Sequence, residues 1–223
     1  MGGTIIEEGK VAGKYHAGYN NDAGRKALAY YLNALYVDKW DSLKIKHDAE
    51  AFELEQTAMF FRESWVVGDI AQKAPNLKYD TAFVPSDARW GRITNFQNLY
   101  VTRASKNPEI AWDFCAVHGE RSESTVVVRQ CRLAPTRMDV DFSDILKRKP
   151  QMKAFIESPK GYEEYGYVPM PSFDEIMTKL AERLGMAFLN EGLAGNDAAI
   201  AKTIADAAEE TNTILRKAGL FSE

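Results

Sequence analysis

The indole of Trp65 sits in an unusual setting for a side chain able to do chemistry. FELEQTAMFFRESW, residues 52 to 65, turns wholly apolar at Ala58, Met59, Phe60 and Phe61, then runs through a charged pair and a serine to the tryptophan. An apolar run that ends in a polar turn either buries the ring in a core or presents it as a platform to something outside the protein. Trp90, in the loop SDARWGR, has the same two readings: a surface aromatic closing a strand end, or a ligand contact. Asn95 and Gln97, alternate residues of ITNFQNLYVT, fall on one face of a strand, where their amides both donate and accept hydrogen bonds. As sheet-edge polar groups they need no further role.

Groups for catalysis are not assembled in the same way. The acidic pairs Glu7 with Glu8 and Glu163 with Glu164 are sequence neighbours, which are seldom both aimed at one bond. The chain has no nucleophile motif and no Gly-rich phosphate loop. His16, His47 and His118 are too scattered for a ligand spacing, so neither a metal nor a cofactor is expected. Cys115 and Cys131 are able in principle to bridge, but Cys115 lies in an apolar helical pattern that suits a buried free thiol.

Composition narrows the class further. With 223 residues, 45% of them hydrophobic, the chain can bury an ordinary core as one large domain or two small ones. A net charge of -4, spread over interspersed charges, lacks the basic footprint of a nucleic-acid binder. No apolar run approaches the roughly 18 residues of a membrane helix, and MGGTIIEEGKVAG carries no secretory signal.

The elements that must position these groups are mostly helices. Asn20, Asn21 and Asp22 precede AGRKALAYYLNALYVDKW, where Ala27, Leu28, Tyr31, Leu32 and Leu35 recur at helical spacing. DAEAFELEQ predicts a short helix, TAMFF a buried strand, VVGDIAQKAP a helix ending before Pro75, and YDTAFVP and ITNFQNLYVT two further strands. SKNPEIAWDF starts another helix with Pro108 in its first turn, and a helix is expected over residues 122 to 130. After RLAPTR and FSDILKRKPQMKAFIES, the stretch GYEEYGYVPMPSF reads as a loop; helices follow from Phe173 to about Leu189 and from Asn196 to Ala218. Trp40 and Trp112, on apolar helical faces, are assigned to the core. The strands are too few for a complete doubly wound domain.

The order AFELEQTAMFFRESW, YDTAFVPSD, ITNFQNLYVTRASKNPEIAWDF, RLAPTR, VPMPSFDEIMTKLAERL resembles the C-terminal portion of the extracellular solute-binding proteins of bacterial sugar ABC transporters, the group of maltose-binding protein. The resemblance runs from about Asn20 to Ala218. It departs from the family at Glu63 and Ser64, where a glycine is usual, and at Asn95, Gln97 and Asn98, where the hinge strand is usually Gly-rich.

The resemblance implies an α/β, periplasmic-binding-protein-like fold, incomplete here: residues 1–92 and 138–223 of C-lobe type, residues 93–137 a hinge and N-lobe-type segment. It implies capture of a carbohydrate-like solute between two lobes for delivery to ABC permease subunits, outside the cytoplasmic membrane. In that role Trp65 stacks on the sugar, and Trp90, Asn95, Gln97, Arg137 and Phe173 are further ligand contacts. Phe173 occupies a place where relatives often carry a larger aromatic, and core packing is its other reading. Arg92 and Arg132 are also able to meet hydroxyls, and Tyr162, Tyr165 and Tyr167 either rim a cleft or anchor a loop. The rival expectation is a self-associating piece, a homodimer without a complete cleft; an enzyme on the same scaffold would need two carboxylates facing one pocket.

Overall fold

The computed structural model describes residues 2–45, 47–94, 98–120, 139 and 141–223. The chain forms two compact units. Unit 1 comprises residues 1–44, 86–90 and 166–223; unit 2 comprises 45–85 and 91–165. The chain therefore passes from one unit to the other after Lys44, Pro85, Trp90 and Tyr165.

Unit 1 is built on three helices, α1 (Asp22–Tyr36), α7 (Phe173–Phe188) and α8 (Asp197–Lys217). Asparagine side chains start two of them. Asn21 accepts the Gly24 N–H at 3.1 Å and Asn196 the Ala199 N–H at 3.1 Å, each satisfying an amide the helix itself leaves unpaired. Ile200, Ile204, Ala207, Ala208 and Thr211 make one stripe along α8, packed with Leu28 and Leu32 of α1 and Leu180 of α7. The one hydroxyl in that stripe has a partner: Thr211 Oγ1 lies 2.8 Å from the Tyr19 hydroxyl. A second cluster joins Ile6, Ile176, Ile214 and Leu215.

An antiparallel hairpin, β1 (Ile6–Glu8) with β2 (Tyr15–Ala17), closes unit 1. The C-terminal tail runs beside β2, where the Tyr15 N–H donates to Leu220 O at 2.7 Å and the Ser222 N–H to Tyr15 O at 3.1 Å. The sequence reading contained neither of these strands. Three residues each are too short to show a period.

In unit 2, α2 (Asp48–Glu53) and α3 (Val66–Lys73) fall where the sequence predicts them. α3 serves two clusters. Val66 and Ile70 pack with Ala49, Phe52 and Phe60, while Val67 turns to Ile145 and Met152 from α5 (Ser143–Arg148) and the 3₁₀ turn Pro150–Met152. A four-residue helix α6 (Lys153–Ile156) follows, and α4 (Pro108–His118) begins at Pro108 as expected. Its neighbour expected over residues 122 to 130 lies outside the described residues.

Three strand expectations are corrected. TAMFF forms no strand: of its apolar side chains only Phe60 turns inward, its ring 4.7 Å from Phe52, while Met59 and Phe61 are 85% and 73% exposed. Residues 79–85 are likewise irregular, tied through side chains by Thr81 Oγ1 donating to Gln151 O at 2.6 Å. Among the described residues of ITNFQNLYVT only Ile93 belongs to a strand, β3 (Gly91–Ile93), and its parallel partner β4 (Glu163–Tyr165) comes from the stretch read as a loop. A strand exists only where another backbone takes up its hydrogen bonds, and apolar content does not supply that backbone. Trp40 and Trp112 are also corrected, being 60% and 61% exposed rather than core. Cys115 is a half-buried free thiol; Cys131 lies outside the described residues.

Candidate functional site

The loop 57–64 delivers Trp65 to the start of α3. Its indole is half-buried. One side packs against the cluster of Ala49, Val66 and Ile70, which Phe60 and Phe52 also cover, and Nε1–H donates to Glu63 Oε2 at 3.0 Å. The Arg62 guanidinium carbon stands 5.7 Å from the ring centroid, within cation–π range. Arg62 is held in place by a two-pronged pair with Asp48 at the start of α2, Nε to Oδ2 and Nη2 to Oδ1 at 2.8 Å each. That pairing keeps the Asp48 carboxyl below its usual range. The ring is thus neither free nor entombed, and it is fringed by one cation and two carboxylates.

Asp48, Arg62 and Glu63 were not among the ligand contacts the sequence reading nominated. Arg62 lies three residues before Trp65 in FFRESW, a local spacing that would have nominated it. Asp48 meets it only because α2 folds back alongside.

Arg92 is tied within its own unit. Its guanidinium donates to the Phe155 carbonyl at 2.9 Å and the Ala154 carbonyl at 3.2 Å, to Ser158 Oγ at 3.3 Å and to Glu164 Oε1 at 2.6 Å, and it lies 5.6 Å from the Tyr162 ring centroid. Its two Nη groups are engaged within unit 2, tying β3 to β4. Tyr162 also meets Phe83 at 5.3 Å, and Tyr165 hydrogen-bonds Glu163 within β4.

The remaining residues are dispersed. Phe173 opens α7 in unit 1 and packs in the Ile6–Ile176 cluster, its ring 5.2 Å from Tyr167. Trp90 is half-buried in the short unit 1 segment 86–90. Asn95, Gln97, Arg132 and Arg137 lie outside the described residues. In unit 1 a charged groove between α7 and α8 is lined by Lys179, Arg183, Asp206 and Glu210; its Lys179 and Arg183 are paired with Glu182 and Glu210. Among the described residues no cluster of His, Cys, Asp or Glu suits a metal ion, and no helix is long and apolar enough to cross a membrane.

Solved structures share this architecture. An ABC transporter solute-binding protein from Thermotoga Lettingae TMO, bound with alpha-D-tagatose, superposes with a TM-score of 0.73 at 20% identity, over 96% of this chain and 53% of that one. The fold is that of the periplasmic binding proteins. The cyclic alpha-maltosyl-1,6-maltose binding protein from Arthrobacter globiformis matches this periplasmic-binding-protein-like chain with a TM-score of 0.65 at 19% identity, over 97% of it and 53% of that protein. A chain from Synechococcus sp. MITs9220 described as an oligosaccharide periplasmic-binding protein, in complex with zinc, gives 0.66 at 14%, over 97% and 56%. The chain therefore spans about half the length of the solved proteins it matches. No family model matches the sequence, and no curated protein matches it significantly.

Proposed function

We propose that this chain is part of the substrate-binding component of an ABC importer and captures a carbohydrate-like solute. The observation that carries the reading is the fold shared, at a TM-score of 0.73, with a solute-binding protein that holds tagatose. Solved chains of this fold are named for transport or binding. The surroundings of Trp65 suit the role. A sugar's C–H face loses apolar area to water on meeting an indole, and its hydroxyls find donors and acceptors in Arg62, Asp48 and Glu63. Trp90 and Phe173 on unit 1, and Asn95, Gln97 and Arg137, are the further contacts of the proposal, with residues 93–137 as the hinge-crossing segment. Capture works by closure: the ligand favours the closed state only by binding it better than the open one, and the permease reads that state outside the cytoplasmic membrane.

A thermal-shift panel of monosaccharides, oligosaccharides and polyols tests this. A ligand at 100 times its Kd adds about 2.7 kcal/mol of stability, a visible shift for one member of the panel. A flat response to every member, with the chain cooperatively folded, contradicts the proposal. The second reading is a self-associating module without a complete cleft.

A further inference from the structure

Glu53, the last residue of α2, buries its carboxyl against the flank of α3, with only 6% of the side chain exposed. Its Oε2 is 3.9 Å from the Lys73 ammonium, but Lys73 is more than half exposed and already bonded at 2.8 Å to Asp69, one turn back on α3. Oε1 has no donor at all. The group within hydrogen-bonding reach of Glu53 is instead the Asp69 carboxyl, and a carboxylate can only accept. Two mostly covered carboxyls therefore share one cation and face each other acceptor to acceptor. Like charges this close disfavour the doubly ionised state, and one proton turns the clash into an O–H···O⁻ hydrogen bond. Glu50 on α2 adds negative charge on the Glu53 side, while Lys73 and, at the head of α2, His47 face Asp69. The proton therefore belongs on Glu53.

We infer that Glu53 and Asp69 hold one proton between them, carried by Glu53 and donated to Asp69, and that this hydrogen bond clasps α2 to α3 and so sets the Asp48–Arg62 pair beside Trp65. α2 is under two turns long, with Asp48 as its first residue and Glu53 as its last, and Trp65 immediately precedes α3. What shifts one end of α2 shifts the other. Burial holds the Glu53 carboxyl above its ordinary range, and the hydrogen bond from Lys73 holds Asp69 below its own. The clasp is complete between those two values: it is lost as pH rises through the raised one, and its Asp69 half is lost as pH falls through the lowered one. Its bearing on a ligand rests on the carbohydrate reading of Trp65; the proton itself does not.

The test needs no ligand. In the full chain the side-chain carboxyl resonances of Glu53 and Asp69, assigned with Glu53→Gln and Asp69→Asn, are followed by NMR across about pH 3 to 9. Glu53 titrates above its ordinary range, Asp69 shows an inflection at the same pH, and the Trp65 indole N–H resonance moves with them while amide protection of α2 falls several-fold. Glu53→Gln, whose amide donates to Asp69 at every pH, keeps α2 protected and removes the inflection at Trp65. Glu53→Ala, with no donor, leaves α2 several-fold less protected throughout. Glu53 titrating in the ordinary range, or Glu53→Gln no better protected than Glu53→Ala, overturns the inference. A Trp65 resonance indifferent to the Glu53 titration overturns the link to the site. A flat saccharide panel alters none of these readouts, so the shared proton and the carbohydrate reading fail separately.

Discussion

Arg92 and Glu164 stand directly opposite each other across the parallel β3–β4 pair, with Nη2 2.6 Å from Oε1. Seventy-odd residues of chain are closed into a loop by this contact, which Ser158 and Thr94 brace from either side. Ser158's hydroxyl first, then the guanidinium, hold the Glu164 carboxyl below its ordinary value. Its stabilisation is therefore present above that ordinary value and lost as pH falls through the lowered one. Both partners are partly open to solvent, which discounts the ion pair itself. Arg92→Met is expected to cost unit 2 about 2 kcal/mol in a urea titration at pH 7, and to flatten the acid limb of the stability profile.

Gly91 sits where any side chain would collide. A Cβ there would lie 2.4 Å from the Glu163 carbonyl oxygen and 2.8 Å from the Tyr165 ring. Gly91→Ala must therefore push β3 off β4, at a cost of roughly 2 to 3 kcal/mol measured by the same titration. Gly161→Ala, with open space around its Cβ but a φ of +86°, costs only about 1 kcal/mol through backbone strain.

Glu53 carries a cost within unit 2. Its side chain is only 6% exposed and Oε1 has no hydrogen-bond partner, while the nearest cation, Lys73, is 3.9 Å from Oε2 and bonded to Asp69 at 2.8 Å. Burial raises its pKa above the ordinary 4.5; Lys73 opposes this, and Asp69 and Glu50 add to it. A raised carboxyl favours the folded state at low pH, so this contribution declines as pH rises through the raised value. Glu53→Gln is expected to match or exceed the parent's stability at pH 7 and to remove that decline, as thermal melts from pH 4 to 8 would show.

The helices were legible because their signals are local. Asn21 before α1 and Asn196 before α8 announce caps within four residues of the amides they satisfy, and Pro108 marks the first turn of α4. β4 was not legible. Its partner β3 is separated from it by some seventy residues, and GYEEYGY has the composition of a loop until Gly91 and Arg92 meet it. Trp112 failed for another reason: helical periodicity shows which residues share a face, but not whether anything covers that face. Around Trp65 the ring was visible in the sequence, whereas its polar fringe depended on α2 bringing Asp48 to Arg62.

Trp65→Ala removes an indole that packs against the cluster of Ala49, Val66 and Ile70 as well as lining the candidate site, so a loss of about 2 to 3 kcal/mol of stability accompanies any loss of binding. Arg62→Lys keeps the charge and loses the two-pronged grip on Asp48. It should weaken ligand binding several-fold while costing the fold less than about 1 kcal/mol. Binding and stability measured side by side on the two variants separate a ligand contact from core packing.

The most direct measurement is an isothermal titration of the 223-residue chain with saccharides that the thermal panel selects, beside Arg62→Lys and Trp112→Ala. Saturable heat in the parent, weakened in Arg62→Lys and unchanged in Trp112→Ala, is the expected result. Saturable binding that ignores Arg62, or a folded chain that takes up no saccharide at all, would contradict a sugar-capturing surface at Trp65.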